Sequence, residues 1–211
     1  MIYIIGGPPR SGKTTLAKYM SKKLGIPWIS CDTLESVSTS YMTSLQYKKT
    51  HPYSVLRDKT SRDNDGFYAM HSAKKIVSVL RQQSKATFPA IDAMTICEIT
   101  DGNDYIIEGY HLEPRFVAKL IKKYGAKNIR VVFLTKFDAE KFAQDVKKST
   151  TPNDWLLVRT KKNETFLKVG LMVAEFSRVL EAEANKYGFK VLCMDQKFEQ
   201  RLKEALRITC V

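Results

Sequence analysis

Short apolar runs alternate with longer stretches of helical spacing along this chain, and that alternation predicts an α/β fold in which helices wrap a parallel sheet. Residues 2–5 read as a buried first strand. After a glycine-rich turn, Leu16, Met20 and Leu24 recur on one helical face while Lys18, Lys22 and Lys23 fall on the other, and Gly25 ends the helix. "PWISCD" reads as a short second strand. Residues 33–66 are polar and aromatic-rich and read as irregular, with "SRDNDG" a loop by composition. The spacing Met70, Ala73, Val77, Leu80 predicts a helix to about Lys85, and a second helix is expected from Pro89 to Ile99.

"DYIIEG" reads as the third strand. Pro114 suits the first turn of the next helix, Phe116, Val117, Leu120 and Ile121 form its apolar stripe, and Gly125 ends it. "IRVVFL" is the fourth strand, followed by a helix that Asp138 is placed to cap. Residues 149–163 are polar and loop-like. A long helix then runs through Phe166, Val173, Phe176 and Leu180 to about Lys186, with Gly188 past its end. "FKVLCM" is the fifth strand, and Phe198, Leu202 and Leu206 mark a final helix. No linker, repeat or low-complexity segment interrupts the pattern, so a single domain over residues 1–211 is expected.

The 211 residues are enough for a sizeable buried core. No apolar run approaches membrane-spanning length, and "MIYII" is too short for a signal peptide's apolar core, so a cytoplasmic protein without membrane contact is expected. The 4 cysteines are scattered without a CxxC pair and the 3 histidines stand far apart, which argues against a zinc site or a disulfide framework. The net charge of +13 suits anionic partners. Its lysine pairs, at 22, 48, 74, 122, 147 and 161, are dispersed and form no basic run interleaved with aromatics, so nucleic acid is possible but not favoured.

The chemistry concentrates in "IIGGPPRSGKTTLAKYM", where Gly7, Gly12, Lys13 and Thr14 satisfy G-x-x-x-x-G-K-[ST]. Glycines let the backbone wrap a phosphate, and the helix that opens there points its positive end at the same anion. Pro8 and Pro9 stiffen the loop and remove two N–H donors, leaving Arg10, Ser11, Gly12, Lys13 and Thr14 to supply them. Lys13 is placed to reach the outer phosphates of a nucleotide, Thr14 to ligate magnesium and Thr15 to touch an inner phosphate.

Whether the phosphate is transferred or only switches the protein depends on the rest of the chain. "DNDG" (Asp63 to Gly66) and "TKFD" (Thr135 to Asp138) fit loose GTPase patterns, but "RDKTSR" before the first cannot be a buried strand, and Asp138 is better read as a helix cap with its lysine on the surface. A kinase reading uses more residues. Asp32 closes the second strand, where an acid can orient an acceptor hydroxyl or take its proton, and it is also placed to cap a helix starting at Thr33. Glu108 ends the third strand, where α/β sheets place their ligands, and is a candidate for the magnesium shell. His111 and Arg115 lie just beyond, as candidate substrate contacts. In the loop at 149–163, Arg159, Lys161 and Lys162 are candidates for a catalytic lid cation, with Arg159 preferred for its planar guanidinium.

"GGPPRSGKTT", the strand-end "SCD" and "IIEGYHLEP" together resemble the P-loop small-molecule kinases of the adenylate kinase and shikimate kinase type, and the last segment is similar to one in 2-phosphoglycerate kinases. The resemblance implies a three-layer P-loop nucleoside triphosphate hydrolase fold whose five-stranded parallel sheet has the order 2-3-1-4-5. It implies a substrate-binding insertion at about 33–70, a lid at about 149–163, and ATP with magnesium. It places Lys13 and Thr14 at phosphate and metal, Asp32 and Glu108 as an acidic pair at the reaction, and His111 and Arg115 near the substrate. The expected activity is phosphoryl transfer from ATP to a small anionic or phosphorylated hydroxyl compound. A polynucleotide or RNA-end kinase and a non-transferring ATPase or ATP-binding regulator stay open.

Overall fold

Parallel neighbours cannot be joined by hairpins and need long crossovers, which in this chain are helices. The structure, a computed structural model, describes residues 1–150 and 153–210. Thr151 and Pro152, inside the expected lid, lie outside the described residues. The chain runs β1 (Ile2–Gly6), α1 (Lys13–Leu24), β2 (Trp28–Ser30), α2 (Cys31–Ser40), α3 (Ser44–Thr50), α4 (Pro52–Asp58), α5 (Asn64–Met70) and α6 (Ala73–Thr100). It continues through β3 (Tyr105–Gly109), α7 (Pro114–Tyr124), β4 (Ile129–Thr135), α8 (Ala139–Lys147), α9 (Trp155–Val158), α10 (Asn163–Lys186), β5 (Val191–Cys193) and α11 (Phe198–Cys210).

The strands form a 5-stranded parallel sheet in the order β2-β3-β1-β4-β5. Both faces are covered, which is why the central strands are apolar throughout instead of alternating. Alternate β1 residues serve opposite layers. Ile2 and Ile4 pack with Ile107, Phe133 and the α6, α7 and α10 helices, while Ile5 packs with Leu16, Met20, Val132 and Leu202. The register sets Gly6 beside Gly109 and Ile5 beside Glu108, so the glycine loop and Glu108 leave the sheet side by side. Among the described residues no helix is long and apolar enough to cross a membrane.

Two of the glycines that the geometry demands stand at the sheet's ligand edge. Gly12 sits at φ 100, and a Cβ there would lie 2.7 Å from the Phe198 ring. A Cβ on Gly109 would lie 2.5 Å from that of Cys31, so only glycine lets α2 start against the end of β3.

Three local expectations are corrected. The stretch 33–66 is helical for most of its length. Its helices are short and set by caps instead of long apolar stripes: Ser30 accepts from the Asp32 N–H, Thr43 and Gln46 form a capping box, and Asp63 accepts from Gly66 N–H. The GTPase-like "DNDG" is therefore a helix cap. The two helices expected around 70–99 are one, which begins after Ser72 and runs through Pro89. Pro89 lies on the exposed side, where the Lys85 carbonyl that loses its N–H partner can bond water. Leu24, expected inward, is exposed. Asp138 caps α8 as expected, accepting from Lys141 N–H at 2.8 Å.

Candidate functional site

The glycine loop joins the buried end of β1 to α1, whose first turn has no acidic residue and no side-chain cap, so the N–H groups of that turn are left for an anion. Arg10 takes φ 65 and Gly12 φ 100, folding the loop back over the helix start. Lys13 is buried and donates to the Pro8 carbonyl at 2.7 Å. Burial pushes its ammonium below the ordinary lysine range, opposed by the nearby Glu108 and Asp32 carboxylates. Ser11 is fully buried, and its Oγ has no hydrogen-bond partner among the described residues. Thr14 Oγ1 donates to Glu108 Oε1 at 2.8 Å.

This loop opens onto a cavity of about 470 Å³ lined by Arg10, Gly12, Thr15, Lys18, Lys136 and Phe198, among others. Lys136 is not the plain surface lysine expected. It is half-buried over the Phe142 and Phe198 rings, at 5.9 and 6.0 Å, and burial pushes its ammonium down. A cradle of open N–H groups, an orphaned serine oxygen and four flanking cations fit a bound polyphosphate. The Thr14 hydroxyl and Glu108 carboxylate are hard oxygen donors of the kind magnesium takes, alongside water and phosphate. Among the described residues no group of three His, Cys, Asp or Glu side chains converges as a metal cage.

On the other side of Lys13 lies a second hollow of about 330 Å³, bounded by Asp32, Tyr53, Glu108, Tyr110 and Trp155. Asp32, Tyr53 and Trp155 also line a third, of about 360 Å³, which adds Ser54, Arg57, Arg62 and Arg159. Asp32 neither ends β2 nor caps the helix. It occupies the first turn of α2 with its side chain 73% exposed, and Ser30 is the cap.

Behind Asp32 stands a buried polar cluster. His111 is wholly buried with its ring tilted against Tyr110, Nδ1 3.8 Å from Asp32 Oδ1 and Nε2 3.5 Å from Glu35 Oε1. It backs the acid and is closed to direct contact with a solute. Glu35 also receives Gln83 Nε2 at 2.8 Å and has His51 Nε2 3.6 Å away. Burial raises the Glu35 carboxyl, but His111 and Gln83 outweigh it and hold the group below the ordinary glutamate range. A carboxyl held low in the fold stabilises it above the unfolded value, about 4.3, and that contribution is lost as pH falls through the folded value. The gap in thermal midpoint between wild type and Glu35→Gln is therefore expected to be full at pH 7 and to close below about pH 4. A gap that stays constant over that range would show Glu35 carries no such linkage.

The structure brings Arg10, Gly12, Lys13, Thr14 and Thr15 together with Glu108 and Asp32 around these hollows, while Gly7 and the wholly buried Ser11 shape the loop without lining either. Arg159 follows α9 and faces the outer hollow, not the phosphate loop. Lys161 and Lys162 are exposed, and their backbone N–H groups bond Asp65. Arg115 is not brought to the site. Its Nη2 lies 2.7 Å from Glu113 Oε2, a carboxylate that Arg81 also holds at 2.8 Å, and these charges brace α7 against α6 and α10. Sequence reasoning missed Glu35, Tyr53, Lys136, Asp154 and Trp155. Of these only Asp154 carried a local sign, an aspartate directly before a short apolar turn, and it does cap α9.

Comparisons with known proteins agree with this architecture. The family model for the ATPase family associated with various cellular activities (AAA) matches residues 3–174. No curated protein matches the chain. Among solved structures the fold is similar to a shikimate kinase from Bacteroides thetaiotaomicron at 12% identity, covering 98% of this chain and 94% of that one with a TM-score of 0.51. It is also similar to a gluconokinase from Sinorhizobium meliloti (13% identity, 99% and 90% covered, TM-score 0.52) and a sugar kinase from Janibacter (15% identity, 99% and 93% covered, TM-score 0.50). At such identities the likeness speaks for the fold, the three-layer α/β P-loop arrangement those kinases share. With its glycine loop, sheet order and family match in agreement, the chain belongs to the ATPase family associated with various cellular activities (AAA).

Proposed function

We propose that this chain is a cytoplasmic, ATP- and magnesium-dependent phosphotransferase whose acceptor is a small, anionic or phosphorylated hydroxyl compound. The observation that carries this reading is that Lys13 and Thr14 line both the nucleotide cavity and the hollow that holds Asp32. A γ-phosphoryl group on the glycine loop would thus face a carboxylate across a space with room for a second molecule. The solved structures of similar fold are described as shikimate kinase, gluconokinase and sugar kinase, which agrees with a small hydroxyl acceptor.

Each group then has a task. Lys13 and the loop N–H groups hold the outer phosphates. Thr14 and Glu108 would hold magnesium, which when bound draws charge from the phosphate oxygens. Asp32, with His111 behind it, orients the acceptor hydroxyl and takes its proton. Arg159 and Arg62 meet the acceptor's anionic group, with Tyr53 and Trp155 as apolar walls. The segment 153–163, the greater part of the lid expected at about 149–163, acts as a lid, tied to the start of α5 by Asn64 Nδ2 to Thr160 Oγ1 at 2.9 Å and by the Lys161 N–H to Asp65 Oδ2 at 2.9 Å.

Purified protein incubated with γ-labelled ATP, magnesium and a panel of sugar, cyclitol, phosphorylated and nucleotide hydroxyl compounds tests the proposal. Label is expected in one anionic member of the panel, with ATP turnover rising when that member is present. Steady hydrolysis unaffected by every acceptor would instead favour an ATPase, the reading the family match supports. Label in oligonucleotide 5′ ends, with binding that weakens steeply with salt, would favour a nucleic-acid acceptor.

A further inference from the structure

Arg10 belongs to the glycine loop, yet a residue far along the chain holds its side chain. Its Nη2 lies 2.8 Å from Asp154 Oδ2, and the Asp154 side chain is 1% exposed against 22% for Arg10. The other Asp154 oxygen, Oδ1, accepts the Leu156 N–H at 3.0 Å and so caps α9. That short helix presents Trp155 to the acceptor hollows, and Arg159 follows at its end. Arg10 itself lines both the nucleotide cavity and the hollow containing Asp32. A guanidinium has five N–H donors, and a single carboxylate oxygen leaves most of them for another anion.

We propose that Arg10 is a catalytic residue of phosphoryl transfer and that Asp154 is the positioning residue that fixes it between nucleotide and acceptor. This rests on the phosphotransferase reading above. In the transfer, a bond forms between the acceptor oxygen and the γ-phosphorus. The bond from that phosphorus to the β–γ bridging oxygen breaks, the hydroxyl proton passes to Asp32, and ADP leaves. Charge shifts onto the bridging and γ-oxygens as the group moves, and a guanidinium already held at the junction stabilises it without reorganising. A free arginine would have to give up its rotamer freedom at that moment, and the ion pair removes this penalty in advance. The lid's contribution to phosphate chemistry is then an acid that aims a loop cation, while Arg159 serves the acceptor.

The test is binding of ADP with magnesium, alone and with aluminium fluoride, which mimics the planar phosphoryl group in flight. Wild type is expected to bind ADP, and more tightly when fluoroaluminate is present. Arg10→Ala is expected to keep ADP affinity within about threefold while losing about 100-fold of the extra tightening. Arg10→Lys keeps the charge but not the fork and is expected to recover only part of it. Asp154→Asn separates positioning from capping, because asparagine caps helices as well as aspartate does. Its thermal midpoint should fall no further than that of Arg10→Ala, which breaks the same ion pair, while the tightening falls about tenfold, a smaller loss than removing the cation itself.

Failure of wild type to bind ADP would overturn the phosphotransferase reading itself. Equal loss of ADP and fluoroaluminate binding in Arg10→Ala would make Arg10 an ordinary nucleotide contact and overturn its catalytic assignment, as would undiminished tightening or a wild type that shows none. Undiminished tightening in Asp154→Asn would overturn the positioning role.

Discussion

Lys13→Ala is expected to weaken ATP binding by about 10- to 100-fold and phosphoryl transfer by about 100- to 1000-fold. The first figure follows from losing one charged hydrogen bond to phosphate, the second from losing a preorganised cation at the group that moves. The structure adds a less obvious expectation for stability. Lys13 is buried, burial alone opposes its charge, and its partner within the loop is a neutral carbonyl, that of Pro8. Such a group is held for its ligand more than for the fold, so the variant's thermal midpoint should stay within a few degrees of wild type. Calorimetric titration with ATP and a thermal melt check both halves. Unchanged ATP affinity in a folded variant would mean that the loop is not the nucleotide site.

Asp32→Asn should leave ATP affinity intact and lower the rate of transfer to the acceptor by about 100- to 10,000-fold, the range of a lost general base. The Asp32 side chain is well exposed and accepts no hydrogen bond among the described residues, and its backbone cap bond to Ser30 survives the substitution, so no loss of structure should confuse the result. The measurement is single-turnover transfer from labelled ATP to the acceptor that the panel identifies. His111 stands 3.8 Å behind the carboxylate, and the asparagine keeps its shape without its charge. Turnover close to wild type would remove Asp32 from the chemistry.

Much of the fold was legible because its signals are local. A glycine-rich turn between an apolar run and an amphipathic helix can be recognised without neighbours, and so can the strand that ends in Glu108. The helices at 31–70 were hidden for an equally local reason. They are too short to repeat an apolar face, and their ends rest on caps such as the Thr43–Gln46 box, which polar composition disguises as loop. Pro89 misled because proline breaks helices on average, while a solvent-facing position tolerates it.

The site divides along the same line. The chain's own order of residues determined where the phosphate loop lies and that Glu108 sits at a strand tip, since both follow from one segment folding in one way. It also set the run of apolar faces that allows a parallel sheet. Only the tertiary structure decided which charges meet. Arg115, adjacent to the motif, is claimed by Glu113, whereas Asp154, more than a hundred residues away, takes hold of Arg10. Glu35 and His111 likewise meet only because α2 packs across the end of β3. Hydrophobic periodicity tells each segment which face to bury. The pairing of polar groups depends on where those buried faces finally dock, and burial makes the pairing compulsory.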